Sequence, residues 1–116
     1  RRAATAPFAA WLLGAVLAAA GCAAFAPIAP ALNQADADRL TARGPAVTLA
    51  ELQEGRSLYI GRCAACHRLP RPDAYGTDRW PIFVDEMAAR AQLTPPQAGA
   101  VLHYLLAARE SADQKH

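Results

Sequence analysis

Apolar positions form one uncharged run from Ala3 to Leu32, then recur at helical spacing beyond residue 48. Thr48-Leu49-Ala50-Glu51 has the form of a capping box, with Thr48 able to cap the amide of Glu51 and Glu51 able to reach back. A helix is predicted from there through Leu58 and Tyr59 towards Gly61. Leu52, Gly55 and Tyr59 share one face at i, i+3 and i+7. Glycine costs about 1 kcal/mol of helix propensity relative to alanine, so its place on that face predicts the close approach of another helix. A second helix is predicted to start near Asp78–Pro81, with Trp80, Phe83, Val84, Met87 and Ala91 in a single apolar stripe. A third begins at Thr94-Pro95-Pro96-Gln97, where Thr94 caps, Pro95 takes the first helical position and Gln97 closes a second capping box. It continues through Val101, Leu102, Leu105 and Leu106 to about Arg109. No stretch alternates as a strand would, so the expected fold class is all-α.

The uncharged run has the layout of an export signal. Arg1 and Arg2 precede it, its densest part is Phe8 to Ala20, and it ends in the small residues Ala19-Ala20-Gly21-Cys22. That ending resembles the lipobox of bacterial lipoproteins, with Ala19 where Leu is favoured. Residues 1–21 are thus expected to be a signal peptide and Cys22 a lipidation site. An uncleaved anchor and a soluble product are the alternatives, since the run is long enough to span a bilayer and Ala24-Phe25-Ala26 offers another cleavage pattern. Each of the three puts the domain on the periplasmic side of a bacterial membrane. Residues 22–47, rich in Ala and Pro, read as a tether; 48–110 as the domain; 111–116 as a polar tail.

Composition narrows the picture. The 116 residues suffice for one small domain. Alanine supplies much of the apolar content and buries little area, so the core is thin and calls for a staple. The net charge is +2, and without Arg1 and Arg2 ten basic residues face ten acidic ones. That balance excludes a nucleic-acid binder. Within residues 56–79, Arg56, Arg62, Arg68, Arg71 and Arg79 face only Asp73 and Asp78, a local excess suited to steering an acidic partner or to pairing with carboxylates of a cofactor.

The staple is expected at Cys63-Ala64-Ala65-Cys66-His67. This C-x-x-C-H spacing lets one turn present two sulfurs to the vinyl groups of a haem, with the histidine next in line as proximal iron ligand. A redox disulfide would favour a βαβ setting, and none is visible. A zinc site would want a second cysteine pair, which is absent. One covalently attached haem c is therefore the expected cofactor, held by Cys63, Cys66 and His67.

With these residues in view, positions 48–110 resemble a class I, mitochondrial-type monohaem cytochrome c domain. Gly55 and Tyr59 match the glycine and aromatic that precede the family's haem motif, and Tyr104 matches the aromatic of its last helix. The resemblance implies that a proline carbonyl accepts a hydrogen bond from the proximal histidine; Pro70 and Pro72 are candidates, with Pro72 favoured. It implies that Tyr59 and Trp80 lie against the haem. It also implies a sixth ligand between the motif and the last helix, where Met87 is the only methionine. A subgroup often attached to periplasmic dehydrogenases has a Trp seven residues before that Met, as Trp80 stands here. His103 and an open site are the alternatives. The implied function is single-electron transfer, as a membrane-tethered carrier or the haem subunit of a periplasmic dehydrogenase, with redox proteins or a terminal oxidase as partners. A haem sensor or gas-binding module with an open sixth site is the competing reading. An enzyme is disfavoured, because no second haem motif or distal acid–base pair is evident.

Overall fold

The computed structural model describes residues 28–115. They form four helices and no strand: α1 (Gln34–Thr41), α2 (Leu49–Arg62), α3 (Trp80–Ala88) and α4 (Pro95–Asp113). The all-α expectation holds for the described residues. Short 3-10 turns at Cys63–Ala65 and Pro72–Ala74 break the path between α2 and α3.

Helix α2 starts where its sequence directs, with the Thr48 hydroxyl accepting from the Glu51 amide. The reciprocal half of the expected box is missing. The Glu51 carboxylate turns instead to His103 on α4, with Oε1 2.6 Å from Nδ1. At α4 both halves of the Thr94–Gln97 box are present, and Pro95 occupies the first turn. The turn between α3 and α4 passes through Gln92, a non-glycine residue at φ 54°.

The α2–α4 crossing is the centre of the fold. On α2, Tyr59 packs with Val101, Tyr104 and Leu105 of α4, Gly55 lies against Ala100 and Tyr104, and Leu52 packs with Ala107. A Cβ placed on Gly55 would lie 2.0 Å from the Ala100 carbonyl oxygen and 2.9 Å from the Tyr104 Cβ. The glycine therefore lets the two backbones touch, as its position on the apolar face implied.

Two boundaries differ from the sequence reading. The 22–47 stretch is not wholly a tether: α1 forms within it and packs on α4, and Ala29, Ala37, Leu40 and Val47 are buried. Asn33 and Asp36 build a capping box at the start of α1, and two hydrogen bonds pin the segment before it. Arg56 Nε donates to the Ala29 carbonyl and the Tyr104 hydroxyl to the Pro30 carbonyl, each at 2.9 Å. At the other end α4 runs to Asp113 rather than Arg109, so the expected polar tail begins as helix. The expected signal peptide and Cys22 lie outside the described residues, as does His116. No helix among the described residues is long and apolar enough to cross a membrane.

Candidate functional site

A cavity of about 330 Å³ opens between the end of α2, helix α3 and one face of α4. One wall carries Cys63, Cys66 and His67. The opposing elements contribute Trp80, Phe83, Val84 and Met87 from α3 and Val101 and Leu105 from α4. The site residues expected from the C-x-x-C-H motif and the α3 stripe thus border one space.

Local geometry explains why both cysteines face it. After Arg62 the chain tightens into the 3-10 turn Cys63–Ala65, capped by Cys66. With three residues per turn, positions i and i+3 eclipse each other, so Cys63 and Cys66 present their sulfurs on one side. Both are free thiols, Cys63 half-buried and Cys66 exposed. Burial pushes the Cys63 thiol above its ordinary pKa by penalising the thiolate.

His67 Nδ1 lies 2.9 Å from the Arg68 carbonyl oxygen. A carbonyl only accepts, so Nδ1 is the donor and the lone pair of the neutral ring falls on Nε2. That nitrogen is the ring's free metal-donor atom. The Pro72 carbonyl, the one favoured for that contact, accepts instead from the indole Nε1–H of Trp80 at 2.8 Å in a buried setting. The Pro70 carbonyl accepts from the Tyr59 hydroxyl at 2.5 Å. Tyr59 and Trp80 line the cavity as expected, yet their polar atoms hold the 70–72 loop rather than point to a ligand.

The apolar wall is largely aromatic. Trp80 meets Tyr59 edge-on at 6.5 Å and Tyr75 at 5.3 Å, and Tyr75 meets Phe83 at 4.8 Å. Such edge-to-face contacts add about 0.5–1.5 kcal/mol each beyond burial, so the wall is a coherent unit. Met87 is half-buried on the same wall. His103 does not line the cavity; it is engaged with Glu51 across the helix crossing.

Sequence reasoning missed three lining residues, Tyr75, Arg90 and Leu93. Tyr75 sits in the irregular stretch before α3, where no periodicity marks it. Arg90 follows Met87 by three residues, so helical spacing carried a signal that its charge concealed. Of the predicted arginine cluster, Arg62 lines the cavity, whereas Arg71 is tied to Asp73 and Arg56 to the Ala29 backbone.

Among the described residues no three His, Cys, Asp or Glu side chains converge as a chelating set. The donor set fits a metal macrocycle: two thiols on one side of the cleft, one imidazole and one thioether on its walls, and aromatic and aliphatic groups between. Comparison of the chain with protein-family models, curated proteins and solved structures finds no match.

Proposed function

We propose that this chain is a class I c-type cytochrome that transfers single electrons on the periplasmic side of a bacterial membrane. One observation carries the reading: Cys63, Cys66, His67 and Met87 border a single apolar cavity. In this reading Cys63 and Cys66 hold haem through thioether bonds, His67 Nε2 is the proximal iron ligand and the Met87 thioether the sixth. The bound group supplies a one-electron ferric–ferrous couple. The chain's own residues set its properties. The Arg68 carbonyl fixes the His67 ring and strengthens it as a donor. The thioether and the apolar wall of Trp80, Phe83, Val84 and Leu105 favour the less charged ferrous state and exclude water. If His67 and Met87 both held the iron, no position would be left for a gas, and the protein would be a carrier rather than a sensor. Cys22 is the proposed lipid attachment point, and a redox protein, such as a periplasmic dehydrogenase or oxidase, the proposed partner.

The test is an optical and haem-staining measurement on protein produced with a cytochrome c maturation system. Haem should survive denaturing electrophoresis and be lost in Cys63→Ala/Cys66→Ala. The oxidised spectrum should be low-spin, with a methionine-to-iron charge-transfer band that Met87→Ala abolishes. A high-spin reduced form that binds carbon monoxide rapidly would refute the closed site. Absence of covalent haem would refute the whole reading.

A further inference from the structure

The chain ahead of α1 is fastened to the domain at two points. Arg56 of α2 donates to the Ala29 carbonyl and Tyr104 of α4 to the Pro30 carbonyl, each at 2.9 Å. Ala29 is buried in the same apolar cluster as Tyr59, Trp80 and Tyr104, and Leu32 packs against both apolar clusters of the fold. None of residues 28–33 lines the cavity. Exposed apolar surface is found where this strap begins. Ile28, next to the clamped Ala29, is 48% exposed. Ile60, 41% exposed, follows Arg56 by four residues and so lies on the same face of α2. Arg56 reaches the Ala29 carbonyl, which brings both isoleucines to the side of the domain where the strap enters. Residues 23–27, Ala-Ala-Phe-Ala-Pro, lead into Ile28 without a charge.

We propose that residues 28–33 are a strap that shortens the leash to Cys22 and holds the Ile28–Ile60 face of the domain against the bilayer surface. The inference rests on the reading of Cys22 as the lipid attachment point. It adds how far the domain stands from the membrane and which face it turns there. A tether running free from Cys22 to Thr48 would reach about 90 Å at full extension. With Ala29 clamped, the reach is at most about 25 Å. A compact chain of this size is roughly 30 Å across. The leash is then shorter than the domain is wide, so the domain cannot turn its far side to the membrane. Two isoleucines are too little to bind a membrane alone. On a short leash their contact is intramolecular, and they suffice to fix an orientation. A second copy of the chain is the poorer occupant, because this patch falls well short of the roughly 1,000 Å² that a specific interface buries. The cavity, which the strap leaves uncovered, would then exchange electrons with a partner in or on the same membrane.

The test uses the lipidated, haem-loaded full-length protein in phosphatidylcholine vesicles that carry a dansyl headgroup label. Haem quenches the label by energy transfer, so quenching reports how close the domain sits. The native protein should quench strongly. A twenty-residue Gly-Ser spacer inserted between Ala26 and Pro27, with a span of about 25 Å, should lose most of the quenching while the protein stays on the vesicles. Ile28→Ser/Ile60→Ser should lose part of it, and Ile82→Ser, at an equally exposed isoleucine on α3, should lose none. Equal quenching by the native and spacer proteins would overturn the proposal, as would equal quenching by the native protein and Ile28→Ser/Ile60→Ser. Cross-linked dimers on the vesicles that Ile28→Ser/Ile60→Ser prevents would also overturn it, because they would assign the face to a second copy. A Cys22 peptide of unmodified mass, with protein that washes off the vesicles, would overturn the strap together with the lipid reading; the other results leave that reading standing. The haem spectrum of the same samples separates loss of haem from loss of contact.

Discussion

The indole N–H of Trp80 donates to the Pro72 carbonyl across 2.8 Å, inside the fold. It joins the first residue of α3 to the loop that follows His67. With the Tyr59–Pro70 contact from α2, it places an aromatic donor on each side of that loop. Trp80→Phe keeps a ring but leaves the carbonyl without its donor, which should cost about 1–3 kcal/mol. The unfolding free energy extrapolated from a urea titration should fall by that amount. If the loop positions His67, the variant should also shift the reduction potential of the haem-loaded protein. Tyr59→Phe should do the same in smaller measure, since its contact is only part-buried. Loss of stability with an unmoved potential would confine both contacts to folding.

Gly55 should accept no side chain. A Cβ there falls far inside van der Waals contact with the Ala100 carbonyl, and backbone cannot step aside as a flexible side chain could. Gly55→Ala should destabilise the domain by about 1–3 kcal/mol or more, although alanine is the better helix former by about 1 kcal/mol. Thermal or urea unfolding measures it. A neutral or stabilising outcome would mean that α2 and α4 do not cross at this point.

These two positions differ in how openly the sequence displayed them. Gly55 was legible, because a glycine interrupting an apolar face has one common physical use. The Thr48 cap and the Thr94 capping box were legible for the same reason: they are local, and helix starts depend on local chemistry. Pro72 was not. Its carbonyl is a backbone atom, and which donor reaches it depends on where α3 packs, a relation between residues eight apart that no spacing rule encodes. Helix α1 was hidden by composition. Ala and Pro dominate its surroundings, yet Asn33-x-x-Asp36 is a capping pair and was there to be read. Of the cavity, the periodic residues Trp80, Phe83, Val84 and Met87 could be placed on one face in advance. Tyr75 belongs to a loop and could not.

The Glu51–His103 pair should couple the two central helices modestly. Its side chains remain 31% and 22% exposed, so solvent screens them. A double-mutant cycle with Glu51→Gln and His103→Gln should give a coupling of about 0.3–1 kcal/mol, shrinking in high salt. A larger value independent of salt would show that the pair is effectively desolvated.

Alkali should loosen the fold through its buried tyrosines. Burial raises the Tyr104 hydroxyl from its ordinary pKa of 10.0 to about 12, and the Arg56 guanidinium beside it, which pulls the other way, does not win. Burial raises Tyr59 as well. Each folded-state pKa lies above its unfolded value, so the contribution to stability is fully present below pH 10. It is lost as pH rises from 10 towards 12, because the unfolded chain releases protons that the folded one retains. The urea midpoint should therefore hold steady through pH 9 and then decline. Tyr104→Phe removes one titrating group and should make the decline shallower. It should also lower the plateau, because the Pro30 carbonyl loses its donor. An unchanged slope above pH 10 would show that Tyr104 ionises as readily in the folded protein as in the unfolded chain, and that its buried hydroxyl is open to solvent.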